Sequence, residues 1–162
     1  MLKISKLSFF VLSSFLLTPL ASISCTQIVN AVQNETETLT VVVSNIQHQK
    51  GQICIGVYSR PQGFPSSPSG LAQSTCEKIT GNTLKHKFSG LKPGTYAVAV
   101  VDDQNGDRKL NKDFLGIPKE GFGISNNPTV SVQTGEPDFS QASFPLNRNT
   151  TINIKIKYSL DR

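Results

Sequence analysis

Residues 91–123 read LKPGTYAVAVVDDQNGDRKLNKDFLGIPKEGFG, and the reading of this stretch decides the fold. Pro93-Gly94 puts a preset φ before a residue that tolerates positive φ, which is turn chemistry. Residues 95–101 follow without a polar break. As a strand they send Tyr96, Val98 and Val100 to one side and Ala97, Ala99 and Val101 to the other, which predicts cover on both faces and a central place in a sheet. Asp102 and Asp103 are expected to end the strand by returning the chain to water.

The segments on either side carry shorter strand signals. Residues 38–46 place Leu39, Val41 and Val43 on one face, and residues 52–58 alternate Ile53, Ile55 and Val57; with a turn at 48–51 between them, the two are predicted to pair as a hairpin. Residues 60–70, RPQGFPSSPSG, hold three prolines and two glycines, which excludes a central strand. Phe64 is expected to anchor that loop to the sandwich edge. Two short strands are predicted at 74–80 and 83–88 around Gly81-Asn82. The second aligns Leu84, His86 and Phe88 on one face, so His86 reads as a packed, hydrogen-bonded histidine.

Beyond residue 123, a weak strand is predicted around Val130 and Val132. Residues 137–146, PDFSQASFPL, follow as an edge segment whose Phe139 and Phe144 cap the core. Residues 150–158 put Ile152, Ile154, Ile156 and Tyr158 on one face against Asn153, Lys155 and Lys157 on the other. About seven short strands with turn signals between them, and no helix of length, predict an all-β fold: a two-sheet antiparallel sandwich.

The chain has 162 residues and a formal net charge of +5. Lys3 and Lys6 precede an apolar run over residues 7–20, the pattern of a secretory signal and too short and serine-rich for a spanning helix. Two cleavage points fit small-residue rules. One follows Val29-Asn30-Ala31; the other precedes Cys25 and would make it a lipid-anchored first residue. The first divides the chain into a signal over 1–31, a leader over 32–37 and one domain over 38–162, exported to the periplasm or beyond. It also removes two lysines and no acid, lowering the charge from +5 to +3. With no block of Lys or Arg, that charge argues against nucleic acid as a partner.

Cys54 and Cys76 then remain as an even pair without C-x-x-C spacing, which in an exported chain predicts a disulfide. Closing the loop between them is worth roughly 3 kcal/mol in the chain-entropy account.

The segments GQICIGVYSRPQGFP, LKPGTYAVAVVDDQNGDRKLNKDFLGIPKEGFGISNN and FSQASFPL closely resemble the bacterial exported domain-of-unknown-function family 2141, over residues 39–156. The most specific part is residues 103–126. The resemblance implies an immunoglobulin-like or transthyretin-like β-sandwich carried across the inner membrane, and it brings no established activity. The Cys54 and Cys76 pair is not part of the resemblance and rests on its own argument.

Two readings stand for residues 103–111, DQNGDRKLN. Oxygen side chains at alternate positions are how short loops wrap Ca²⁺, with Asp103, Asn105, Asp107 and Asn111 as side-chain ligands and the Lys109 carbonyl beside them. Against this, Arg108 stands where an EF-hand has glycine, and Phe114 where it has a bidentate glutamate. The other reading has the same Asp and Asn side chains accepting backbone N–H groups in Asx-turns.

Catalytic patterns are missing from the sequence: it has no G-x-S-x-G elbow, no H-E-x-x-H, no Walker loop, and only two histidines, His48 and His86. Asp102 and Asp103 are adjacent, so on a strand they point to opposite sides. A transthyretin-like hydrolase would carry Tyr-Arg-Gly-Ser, where this chain has Tyr158-Ser159-Leu160. The reading is therefore a non-enzymatic binding or accessory module of the cell envelope. Residues 102–123 would present Phe114, Ile117, Lys119, Glu120 and Phe122 to an envelope protein, polysaccharide or small ligand. The alternatives are a purely structural domain with a calcium-stiffened loop, and a hydrolase using loop carboxylates.

Overall fold

The computed structural model describes residues 35–162. The signal read over 1–31, with Cys25 and both cleavage points, lies outside the described residues, as does the start of the leader. In chain order the elements are β1 (Glu37–Ser44), β2 (Gln52–Tyr58), β3 (Leu71–Lys78), β4 (Thr83–Leu91), β5 (Gly94–Asp103), β6 (Gly121–Ile124), α1 (Phe139–Ala142), β7 (Phe144–Leu146) and β8 (Thr150–Lys155). One sheet runs β4-β1-β8 and the other β3-β2-β5-β6, with β7 pairing the first residues of β5. The all-β sandwich expected from the sequence is therefore the fold, with eight strands.

The strand at the centre of the reading is central in fact. β5 pairs with β2, β6 and β7. Its Tyr96, Val98 and Val100 enter the core between the sheets, which is built from Leu39, Val41 and Val43 of β1, Ile53, Ile55 and Val57 of β2, and Ile154 of β8. Each fully buried aliphatic side chain of this kind contributes about 1.5–3 kcal/mol. Ala97 and Ala99 point the other way, into a second cluster with Tyr58, Ile124 and Ala142. Phe64 closes that cluster, meeting Tyr58 and Phe139 edge-on at ring-centroid distances of 5.2 and 5.8 Å. It is the anchor that the proline-rich loop required.

Several expectations are corrected. β1 and β2 do not form a hairpin: β1 pairs with β4 and β8, and β2 with β3 and β5. Their apolar faces oppose each other across the core, so the same alternation is satisfied by facing across the layer rather than by lateral pairing. β8 runs parallel to β1, the exception to the antiparallel arrangement. The positive φ near the β4–β5 corner belongs to Gly90, at 76°, and not to Gly94. Tyr96 pins that corner by donating its hydroxyl to the Lys92 carbonyl at 2.8 Å, the device known as a tyrosine corner. No strand forms around residue 130. Val130 is buried and Val132 is exposed, in a turn where the Ser131 and Thr134 side chains accept each other's backbone N–H.

The glycine-punctuated return has a packing cause. A Cβ at Gly121 would lie 2.5 Å from the Tyr158 ring and 2.7 Å from Ile156, and one at Gly123 would lie 2.6 Å from Ile154. These glycines let the C-terminal segment press onto β6. Ser125 is fully buried, donating to the Ala142 carbonyl at 2.6 Å and accepting the Val98 N–H at 2.9 Å, which ties β5 to α1. Asn127 bridges to β8 through the Asn153 carbonyl and the Lys155 N–H. The most recognisable stretch of the sequence is thus largely a set of packing and hydrogen-bonding solutions.

Candidate binding cleft and its loop

β5 does not end by returning to water. Asp102 and Asp103 are both 0% exposed, the clearest departure from the sequence reading. Asp102 sits toward the inner layer, where its carboxylate accepts the Tyr158 hydroxyl and the Gln104 side-chain amide and meets His48 Nδ1 at 3.1 Å. Asp103, on the opposite side, accepts the Gln52 amide at 2.7 Å and the Gly106 and Arg108 N–H groups at 2.7 and 2.9 Å. Buried Glu120 accepts the Gln104 and Asn111 N–H groups, each at 3.0 Å. A carboxylate stays inside when donors converge on it, and each of these three has them. Together they hold the base of the loop over residues 104–120.

Protonation follows this wiring. Burial pushes the Asp103 carboxyl up, but the hydrogen bonds from Gln52, Arg108 and Gly106 outweigh it and leave the group below its ordinary value. Burial, and then the bond to Asp102, push the Tyr158 phenol up to about 12.

The side chains read as calcium ligands engage one another. Asn105 Oδ1 accepts the Asp107 N–H at 3.0 Å, and Asp107 Oδ1 accepts the Lys109 N–H at 2.9 Å. That orientation turns the Asn105 amide nitrogen toward Asn111 Oδ1 and Asp107, while the Asn111 amide donates to Asp107 at 2.9 Å. The Asn111 amide first, then the Lys109 N–H, hold the Asp107 carboxyl below its ordinary value. Asn105, Asp107 and Asn111 are thereby hydrogen-bonded to one another and to the loop backbone. Among the described residues, no cluster of three or more His, Cys, Asp or Glu side chains is grouped to hold a metal.

Residues 111–119 form a small hairpin. Lys112 and Pro118 make a bridge, and the Lys119 N–H donates to the Asn111 carbonyl at 2.8 Å. At its tip, one oxygen of Asp113 accepts the Leu115 and Ile117 N–H groups, both at 2.9 Å, and Gly116 takes a φ of 80°. This is the three-residue hairpin turn with a left-handed glycine, and Asp-x-x-Gly is a sequence signal for it that the sequence reading did not use.

The hairpin walls a cleft of about 680 Å³ on the outer face of the larger sheet. The floor is made of small groups: Gly56, Ala99, Ser74 and the Cys54–Cys76 disulfide. The expected bridge exists, joining residues directly opposite on β2 and β3. Leu71, Ile124 and Val130 line the sides, and Arg108, Lys112 and Glu136 supply charge, with Lys112 paired to Glu136. The volume lies in the range of small-molecule sites.

Of the residues expected to face a ligand, Phe122 and Ile117 line this cleft. Phe114 is 94% exposed at the hairpin tip, Lys119 is exposed on the stem, and Glu120 faces inward to the loop backbone. The floor was missed in the sequence because glycine, alanine and serine on a strand carry no signal of what stands beside them. His86 pairs with Glu77 and packs edge-on against Phe88 at 4.5 Å, as expected. Among the described residues, neither histidine is hydrogen-bonded to a serine, threonine or cysteine side chain. No described helix is long and apolar enough to cross a membrane.

Residues 41–153 match the family described as "Uncharacterized protein conserved in bacteria (DUF2141)". No curated protein and no solved structure matches the chain.

Proposed function

The chain belongs to that bacterial family of uncharacterised proteins, and from this premise we propose that it is a non-enzymatic binding module of the cell envelope that holds a small, largely apolar ligand in the outer-face cleft. The observation that carries the reading is the cleft itself, with a floor of side chains too small to fill it. Arg108 lines the cleft and makes no ion pair among the described residues, which favours a ligand bearing an acidic group. A binder is favoured over a hydrolase because the loop carboxylates are spent on backbone and side-chain donors. Export is supported by the disulfide, a bond characteristic of oxidising compartments.

Titration with 8-anilinonaphthalene-1-sulfonate, an apolar probe with one acidic group, tests the reading. The expected result is a saturable one-site fluorescence rise that is lost in Ser74→Phe, which fills the cleft from an exposed position on β3. An unchanged rise in that variant, with its unfolding midpoint preserved, would overturn it.

A further inference from the structure

At the tip of the 111–119 hairpin, Leu115 lines the cleft but Phe114 does not. Phe114 is 94% and Leu115 68% exposed, side by side. Their presentation is fixed rather than loose, since the Asp113 carboxylate, the Asp113 carbonyl and the Asp113 N–H all bond within the turn. A turn needs no large apolar residues at its centre, and a rigid one that displays two of them holds apolar surface in water. Basic residues flank the pair in sequence: Lys119 on the hairpin stem and Lys109 just before it, neither in an ion pair among the described residues, with Lys112 on the stem paired to Glu136. The acids nearby are engaged. Asp113 is taken by the turn, Asp107 by Asn105, Lys109 and Asn111, Glu120 by backbone N–H groups, and Glu136 by Lys112.

We propose that this hairpin is a peripheral membrane-docking element, seating Phe114 and Leu115 in the interfacial region of a bilayer while Lys109 and Lys119 meet anionic lipid headgroups. An exposed apolar pair flanked in sequence by basic residues is the composition by which peripheral segments bind anionic surfaces. The occupant is a lipid surface and not the cleft ligand, and Phe114 and Lys119, whose single variants test it, do not line the cleft.

The full chain is sedimented with vesicles of phosphatidylcholine alone and with vesicles containing phosphatidylglycerol as well. Phe114→Ser/Leu115→Ser carries the same N-terminal segment, so residues 1–34 contribute equally to both proteins. Both side chains are exposed, so the variant is expected to melt as the wild type does. Wild type should bind the anionic vesicles more tightly than the double variant. Lys119→Gln should weaken binding roughly fivefold, the factor that about 1 kcal/mol per surface cation corresponds to. Phe114→Trp gives the chain its sole tryptophan, whose emission should shift to the blue on anionic vesicles. Equal sedimentation of wild type and double variant, or no blue shift, would overturn the proposal, as would a shift of the same size on neutral and anionic vesicles.

Discussion

The hydroxyl of Tyr158 donates to the fully buried carboxylate of Asp102, joining the C-terminal segment to the end of β5. The same phenol accepts the Gln47 N–H at 2.9 Å, and its ring meets His48 edge-on at 5.1 Å. One side chain thus connects the link between the sheets, the central strand and the chain's last residues.

Tyr158→Phe keeps the ring and removes the donor. It should destabilise the protein by about 1–3 kcal/mol, because a buried carboxylate loses a hydrogen bond. Denaturant unfolding of the two proteins measures this. The phenol's ionisation is raised to about 12 from 10.0, so its stabilisation is complete below pH 10 and is lost as pH rises toward 12. Alkaline absorbance titration should show a late-ionising tyrosine that disappears in the variant.

Asp103 gives the opposite dependence. Its carboxyl is held below 3.8, so the stability it contributes is present above that pH and is lost as pH falls through the folded value. Asp103→Asn should lower the unfolding midpoint at neutral pH, and the gap to wild type should narrow in acid below pH 3.8. A constant gap across that window would contradict this account of the loop's base.

Gly121→Ala should cost about 1–3 kcal/mol, the usual penalty for forcing extra atoms into a packed site. The new methyl would meet the Tyr158 ring and Ile156 at under 3 Å. Thermal unfolding reads the loss, and Gly81→Ala, where no atom lies within 4 Å, is the control.

Reduction of the Cys54–Cys76 bridge, or its replacement by Ala at both positions, should cost about 2–4 kcal/mol. Thiol titration of the denatured, unreduced chain should show neither Cys54 nor Cys76 free.

Calcium and excess chelator should leave the unfolding midpoint equal, given the amide nitrogens turned onto Asp107. A midpoint raised by added Ca²⁺ would mean that Asn105 and Asn111 reorient to offer their oxygens, since binding to the folded state must stabilise it.

The sequence by itself determined which residues of each strand are apolar and on which face, because side chains alternate with a period of two whatever lies beside the strand. That was enough for the two covered faces of β5 and the inner faces of β1, β2 and β8, while loop composition marked Phe64 as an anchor and an even cysteine pair in an exported-looking chain marked the Cys54–Cys76 bridge. Only the tertiary structure decided which strands share an edge, since backbone N–H and C=O groups are the same at every strand edge. The absent β1–β2 hairpin and the parallel β1–β8 pair follow from that. It also decided that Asp102 and Asp103 are buried. Tyr158 and His48 reach Asp102 from 56 and 54 positions away, and a carboxylate's place inside or outside depends on donors that only folding brings within bonding distance.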